Sequence, residues 1–179
     1  MPFLNLMPED KMSPDAKMYI DRAKKRQRSE RISPGYYLMA HYPPVLKAFV
    51  EAFDTLVPVP NRFGTSQFIA SMLIAHDKHC GPCFDASRTF LAKIGMSDEE
   101  LDRMCQLPSA LPLSDRERRF VDFTLRVARN PTALKAEDFE EMARAGFTRD
   151  EVVEMIGVAG FWALATTVTT ALDKAFREE

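Results

Sequence analysis

The sequence predicts an all-α fold in a single domain, and three observations support this prediction. Three helices are expected to begin with a capping box, in which a Ser or Thr is followed three residues later by Glu. Apolar residues recur with the 3.6-residue period of a helix, and no segment alternates as a strand does. No Asn-Gly or Asp-Gly hairpin turn occurs in the chain. The capping boxes are Ser97 with Glu100, Ser114 with Glu117, and Thr148 with Glu151.

The first predicted helix begins at "SPD", where Ser13 is the N-cap and Pro14 the first helical residue. This polar helix is expected to end before the "SPG" that starts at Ser33, and "YYLMAH" follows as a short helical piece. We therefore divide the chain into an N-terminal polar helical arm, residues 1–34, and one main helical domain, residues 35–179.

The strongest helical pattern lies in "PPVLKAFVEAFDTLV", because its apolar residues all fall on one face. Pro58 and Pro60 are expected to end this helix, since proline cannot donate the backbone hydrogen bond of a helix interior. The apolar residues on that face are Val45, Leu46, Phe49, Val50, Phe53, Leu56 and Val57.

Two later junctions share one design, "GMSDEE" from Gly95 and "GFTRDE" from Gly146. In each, the glycine is expected to end a helix in the left-handed conformation. An apolar residue then closes the corner, and an N-cap starts the next helix. An internal duplication would explain the likeness, but repeated use of one good helix–helix corner is the simpler explanation.

The composition is that of a globular protein, with 46% hydrophobic residues and a net charge of −2. A charge balance this close to neutral gives no reason to expect nucleic acid or an anionic membrane as a partner. The basic stretch "RAKKRQR" is flanked by Asp21 and Glu30, and we interpret it as a solvated helix face. The N-terminus lacks the basic and apolar regions of a secretory signal, so we expect a cytoplasmic protein.

The segment from Met155 to Leu172 carries no charge over eighteen residues, near the lower length for a membrane-spanning helix. It contains four threonines and two glycines, and no cluster of basic or paired aromatic residues flanks it. A central helix that its neighbours bury on all sides explains the segment better than a membrane span. In one version of this interpretation, the helix lies at a subunit contact.

The "CGPC" of Cys80 to Cys83 is the tetrapeptide of thioredoxins, but a thioredoxin needs a strand before it. Here the preceding "SQFIASMLIAHDKH" has a helical pattern. Pro82 should break that helix near Lys78 to Gly81 and start a new one. Both cysteines would then lie at a helix N-terminus, where backbone N–H groups and the helix dipole stabilise a thiolate. We predict a redox dithiol; a pair of buried structural cysteines is the alternative.

The same stretch also raises the hypothesis of a zinc site, because His76, His79, Cys80 and Cys83 are suitable ligand types. On a straight helix they would span about 10 Å, whereas ligands lie within about 2.3 Å of zinc. We therefore expect no metal, and nothing points to a cofactor. Each histidine precedes a cysteine by four residues. Each either transfers a proton or holds a thiolate, or is a half-exposed polar residue at a helix end. Cys105 is expected to be an inert core or near-core thiol.

Several segments in order resemble one family. They are "AHYPPVLKAFVEAFDTLV", a helix leading into Cys-x-x-Cys, "GMSDEE", "LSDRERRFVDFTLRVARNP" and "AGFTRDEVVEMIGVAGFWALATTVTTAL". Together, over Tyr36 to Leu172, they are similar to the peroxidase-related branch of the carboxymuconolactone decarboxylase and AhpD-like superfamily. The resemblance implies that residues 35–179 form an AhpD-like multi-helix bundle, assembled as a homotrimer or homohexamer. It also implies a thiol peroxidase or disulfide reductase activity.

The resemblance also implies roles for individual residues. In redox-active members the second cysteine attacks the peroxide and the first resolves it, which assigns these roles to Cys83 and Cys80. The family pattern has a histidine four residues after the second cysteine, where this chain has Ser87. It has a glutamate twelve residues before the first cysteine, where this chain has Phe68, next to Gln67. The dithiol is therefore present, and both members of the family's proton relay are replaced.

The expected function is that of a thiol-dependent oxidoreductase with Cys83, Cys80 and His79 as catalytic residues. His76 and Asp85 are the other groups that could replace the missing relay. The expected substrate is a small-molecule hydroperoxide or disulfide, and the sequence does not identify the reductant. The decarboxylase branch does not rely on a dithiol, so the two cysteines argue against that reaction. The alternative is a non-enzymatic oligomeric module that uses the fold to bind a ligand or partner.

Overall fold

Helices make up the regular structure of the computed structural model, which describes residues 2–106 and 113–177. Within those residues there are nine α-helices, two short 3₁₀ helices and no strand, which confirms the all-α prediction. The helices are α1 (Pro14–Gln27), α2 (Pro34–Met39), α3 (Pro43–Leu56), α4 (Ser66–Asp77), α5 (Gly81–Lys93), α6 (Asp98–Gln106), α7 (Asp115–Arg129), α8 (Ala136–Arg144) and α9 (Arg149–Phe176).

The predicted helix starts are present with their side-chain caps. The Ser13 hydroxyl accepts a hydrogen bond from the Ala16 N–H at 3.2 Å and caps α1. In all three capping boxes the Glu carboxylate accepts from the backbone N–H of the cap residue at 2.8 Å. The cap hydroxyl in turn accepts from the Glu N–H at 3.2 to 3.4 Å. Local sequence therefore fixes where α6, α7 and α9 begin.

The two similar junctions have the predicted backbone geometry. Gly95 and Gly146 have φ of +105° and +82°, a region that side chains larger than hydrogen rarely occupy. The residue after each glycine donates its N–H to the carbonyl five residues back, from Met96 to Leu91 and from Phe147 to Met142. These are the hydrogen bonds of a Schellman motif, which end α5 and α8 with their last carbonyls satisfied.

The described residues form two compact units. In the first, made of residues 2–55 and 168–177, α1 buries Ala16, Tyr19, Ile20 and Ala23. The basic stretch in α1 is held by ion pairs, with Arg22 and Arg26 both bound to Asp54 of α3. The predicted boundary between an arm and a main domain at residue 34 stays a prediction.

The second unit, Leu56–Thr167, is organised around α4. This helix packs against α5, α6 and α7. Nine of its twelve residues are buried, including its polar residues Ser66, Gln67 and Ser71. A helix that is buried on nearly all sides carries apolar residues around most of its circumference, and its buried polar groups need partners from the same helix or its neighbours.

Helix α9 departs from the sequence prediction. Met155, Val158 and Ala159 are fully buried, but Val153, Ile156 and Leu164 are 68%, 38% and 46% exposed. The expectation that neighbours bury this helix on all sides is therefore wrong for a single chain. Among the described residues α9 is the one helix with the length and apolar composition of a membrane-crossing segment, and 33% of its most apolar window is buried.

Candidate functional site

The dithiol lies where α4 ends and α5 begins. Helix α4 ends at Asp77, and His79 adopts the left-handed conformation with φ of +53°. The Cys80 N–H donates to the Ala75 carbonyl at 2.9 Å, and the His79 N–H donates to the His76 carbonyl at 3.1 Å. These bonds form a third Schellman motif, with histidine where glycine is usual. The predicted break between Lys78 and Gly81 is confirmed, because α5 starts at Gly81 with Pro82 as its second residue.

Cys80 and Cys83 lie close together in the first turn of α5. Cys80 is the N-cap residue and is only 1% exposed, whereas Cys83 is the third helical residue and is half-buried. Backbone N–H groups of the first helical turn have no partner within the helix, and they favour a negative charge there. Because Cys83 is the more exposed of the two residues, it is the one that an external molecule reaches more readily.

The Cys83 thiol also contacts α9. Its Sγ donates a hydrogen bond to the Ala165 carbonyl oxygen over 4.0 Å. A carbonyl oxygen can accept only from the protonated thiol, so this contact is lost when Cys83 ionises. The Ala165 carbonyl therefore favours the protonated thiol over the thiolate.

A buried pair of serines lies one helical turn beyond Cys83. Ser87 of α5 and Ser71 of α4 are 6% and 1% exposed, and their hydroxyl oxygens are 2.5 Å apart. Ser87 occupies the position for which the resemblance implied a histidine. Ser71 was not among the predicted site residues, although a polar residue within the continuous apolar run of α4 is a signal that it needs a buried partner.

The position for which the resemblance implied a glutamate is apolar. The ring of Phe68 stacks on that of Phe90, with 3.9 Å between centroids. Its neighbour Gln67 is fully buried, and its Nε2 donates to the Leu56 carbonyl at 2.9 Å. The Gln67 amide therefore helps to hold the end of α3, and neither position supplies an ionisable group.

The ionisable groups beside the dithiol are exposed to solvent. The side chains of His76, His79 and Asp85 are all exposed. The His76 ring lies 5.9 Å from the ring of Phe84, measured between centroids. Asp77 accepts a hydrogen bond from Arg129 of α7 at 2.5 Å. The structure thus brings the predicted residues Cys80, Cys83 and His79 to one helix junction.

Cys105 is separate in sequence and in chemistry. It lies near the end of α6 and is half-buried. Burial raises the pKa of the Cys105 thiol above its usual value, with the nearby Arg88 acting in the opposite direction. A raised pKa reduces the thiolate fraction at neutral pH and so reduces reactivity. Across residues 2–106 and 113–177, no three His, Cys, Asp or Glu side chains are grouped so that they could hold a metal ion.

Neither a family model nor a curated protein matches the sequence. Solved structures do match. The alkylhydroperoxidase AhpD core of an uncharacterized peroxidase-related protein from Ralstonia eutropha JMP134 superposes with a TM-score of 0.83 at 16% identity. This match covers 99% of this chain and 92% of that one. An uncharacterized peroxidase-related protein from Silicibacter sp. TM1040 gives 0.80 at 16% identity, covering 97% and 90%.

A third match is a debrominase, Bmp8, with a TM-score of 0.72 at 14% identity, covering 92% of this chain and 87% of that one. The same debrominase has been solved as a cysteine-to-alanine variant in complex with 2,3,4-tribromopyrrole. Identities this low establish the fold alone. The chain therefore has the all-helical fold of these solved structures, which is the AhpD-like fold that the sequence resemblance implied.

Proposed function

We propose that this protein is a thiol-dependent oxidoreductase that reduces a small-molecule hydroperoxide or disulfide with Cys83 and Cys80. The observation that carries this proposal is the position of both cysteines at the start of α5, close together and unequally exposed. The accessible Cys83 is suited to attack a substrate, and the buried Cys80 is suited to resolve the product. The all-helical neighbours described as peroxidase-related support the same class.

The proposed reaction with a hydroperoxide has three balanced steps. The Cys83 thiolate attacks the terminal peroxide oxygen, the O–O bond breaks, and the alkoxide takes up a proton and leaves as an alcohol. The Cys83 sulfenic acid then condenses with the Cys80 thiol, forming a disulfide and releasing water. An external dithiol or two thiols finally reduce the disulfide and are themselves oxidised. With a disulfide substrate, the first step is thiol–disulfide exchange at Cys83.

His79 is the proposed source of the proton for the departing alkoxide. It directly precedes Cys80 and is exposed, so it can exchange protons with solvent. Histidine is the side chain most often used as a general acid or base, which suits it to give and regain a proton in each cycle. Because Ser87 and Phe68 supply no ionisable group, we expect turnover to be slow.

The replacement of both relay positions also favours a second candidate function. A chain that keeps the fold but has Phe68 and Ser87 at the two relay positions could act as a non-enzymatic oligomeric module that binds a ligand or partner. In that case Cys80 and Cys83 would be structural thiols with ordinary reactivity. The two candidates differ in one measurable property, the reversible formation of a Cys80–Cys83 disulfide.

The first experiment is mild oxidation of the full chain by a stoichiometric hydroperoxide, followed by differential alkylation and peptide mass spectrometry. We expect a Cys80–Cys83 disulfide that dithiothreitol reverses, and steady-state hydroperoxide reduction supported by dithiothreitol. Cys83→Ser should abolish turnover, and Cys80→Ser should trap the Cys83 sulfenic acid. The matched control is Cys105→Ser, which should leave both measurements unchanged. The debrominase ligand 2,3,4-tribromopyrrole is a further substrate to assay.

If Cys80 and Cys83 both stay reduced under these conditions while Cys105 is oxidised, the assignment of the redox pair is wrong and the binding module is favoured.

We further propose that the protein works in the cytoplasm as a homotrimer or homohexamer, without a nucleic acid or membrane partner. Its reductant is an unidentified thiol. The uncharged exposed side of α9 supports self-association.

A further inference from the structure

Two buried serines meet between α4 and α5, next to the dithiol. Ser87 follows Cys83 by four residues on α5, so the two side chains share one face of that helix. Ser71 approaches Ser87 from α4, and the two hydroxyl oxygens are 2.5 Å apart. The pair is the only hydrogen bond that either hydroxyl makes within residues 2–106 and 113–177.

The two hydroxyls together carry one more donor proton than their mutual hydrogen bond uses. Each hydroxyl carries one proton and can accept two hydrogen bonds. One proton occupies the bond between the two oxygens, which leaves the other proton available to a third acceptor. A buried hydroxyl proton without an acceptor is costly, so a nearby acceptor that develops negative charge would be strongly favoured.

Cys83 becomes such an acceptor when it ionises. Its protonated thiol donates to the Ala165 carbonyl, and a carbonyl cannot stabilise the thiolate. We propose that Ser87 donates a hydrogen bond to the Cys83 thiolate and positions it, while Ser71 donates a hydrogen bond to Ser87. The hydrogen bond from Ser87 lowers the pKa of Cys83. The Cys83 proton goes to solvent, the Ser87 hydroxyl turns towards the sulfur, and Ser71 donates to Ser87. This inference deepens the proposed thiol chemistry and rests on Cys83 being its nucleophile.

The charged and titratable groups around the dithiol do not duplicate this role. On α4 and the turn that follows, they are His76, Lys78, His79 and Asp77, which is paired with Arg129 of α7. All of these are exposed, as is Asp85 on α5, so solvent screens them. Arg88 of α5 is held by Asp98 and Asp102 of α6. The stretch of α9 that contains Ala165 carries no charge.

The test measures the pH dependence of Cys83 alkylation by iodoacetamide in the fully reduced chain, resolved by peptide mass spectrometry. Ser87→Ala removes the hydroxyl without adding bulk. It should raise the pKa of Cys83 by about one unit and slow its alkylation about tenfold at neutral pH, which corresponds to about 1.4 kcal/mol. Ser71→Ala should cause a smaller change in the same direction. Ser87→Thr keeps the hydroxyl and should restore most of the wild-type rate.

The matched control is Thr89→Ala, which removes an exposed hydroxyl from the same helix and should leave the Cys83 profile unchanged. An unchanged profile in Ser87→Ala, or an equal slowing of Cys105 in that variant, would overturn the inference. If Ser87→Ala does not fold, the Cys83 profile of Ser71→Ala tests the inference. Slower alkylation of Cys83 supports the inference, and an unchanged profile overturns it. Because the assay uses reduced protein and no turnover, a chain that shows the shift but never forms the disulfide would refute the proposed function while leaving this inference intact.

Discussion

His79 meets two separate demands at one residue. Its backbone lies in the left-handed region, which costs a residue with a side chain about 1–2 kcal/mol relative to glycine. Its imidazole lies directly before Cys80 and is the proposed proton donor. Glycine would adopt the left-handed backbone at lower cost, but it has no side chain that could donate a proton. The presence of histidine at a position that suits glycine is therefore consistent with a chemical role for its side chain.

This conflict predicts opposite effects of His79→Gly on stability and activity. The variant should gain about 0.5–1 kcal/mol in the free energy of unfolding, because strain is removed and part of the gain is lost to chain entropy. Its hydroperoxide reduction should fall by about 10²-fold or more if the imidazole is the proton donor. Urea unfolding and the dithiothreitol-supported assay measure the two effects.

The control for this prediction is His79→Ala, which loses the imidazole but keeps the backbone cost. It should lose activity without gaining stability. Wild-type activity in both variants would show that His79 serves only the turn, and the proton would have to come from another group such as His76.

The residues of the site differ in how far the sequence alone could predict them. Cys80 and Cys83 were predictable, because Pro82 forces a helix start and so sets the position of both sulfurs relative to it. The hydrogen-bond partner of Ser87 could not be predicted, since Ser71 lies on another helix and no local sequence signal specifies how α4 and α5 pack. The unequal exposure of the two cysteines was unpredictable for the same reason.

At the scale of helices, three capping carboxylates define where chain segments start. Hydrogen bonds from the cap residue lower the pKa of Glu100, Glu117 and Glu151 below the ordinary value of 4.5. For Glu151 the backbone N–H of Thr148 is the largest cause, and Arg116 adds to it. A carboxylate that is more acidic in the folded chain binds its proton less readily there than in the unfolded chain. Each therefore stabilises the fold only while it is ionised.

The sign of these shifts predicts acid sensitivity. The stabilisation should be complete above about pH 4.5 and should be lost progressively as the pH falls through the lower pKa values of the folded chain. The urea midpoint should therefore change little between pH 7 and pH 5.5 and fall clearly between pH 4.5 and pH 3. Far-ultraviolet circular dichroism at several urea concentrations measures it.

The matched variant for this prediction is Glu151→Gln. Glutamine at this position can still accept the Thr148 N–H through its side-chain carbonyl, but it does not titrate. Its midpoint should be lower at neutral pH, and the difference from wild type should shrink in acid. A difference that stays constant from pH 7 to pH 3 would contradict the assignment.

The elements also differ in how far sequence could predict them. The Schellman corners at Gly95 and Gly146 were predictable, because their hydrogen bonds join residues at most five apart. The exposed side of α9 could not be predicted. An uncharged helix can have the same sequence whether other parts of its own chain or a second copy of the chain cover it. Composition predicts that such a surface will be buried, but it does not identify the covering surface.

For the molecule as a whole, the most informative surface is a stripe along α9. Five exposed residues recur every three or four positions and contain no charge, and we call them the α9 stripe. The centre of the stripe is open, because a methyl group added at Gly160 would meet no heavy atom within 4 Å. A helix face of this kind allows close approach of a second copy. The stripe consists of Val153, Ile156, Gly160, Leu164 and Thr167.

We predict that the α9 stripe is the contact through which copies of this chain associate. Wild-type protein should have a mass by light scattering that is a multiple of the 20.3 kDa chain, and Ile156→Glu with Leu164→Glu should reduce it to the chain mass. Introduced carboxylates would have to be buried without partners, which a contact cannot tolerate. The matched control is Ile94→Glu, since Ile94 is 48% exposed and lies outside the stripe. Wild-type protein that is already monomeric at micromolar concentration would refute the prediction. A double variant that stays associated would move the contact to another surface.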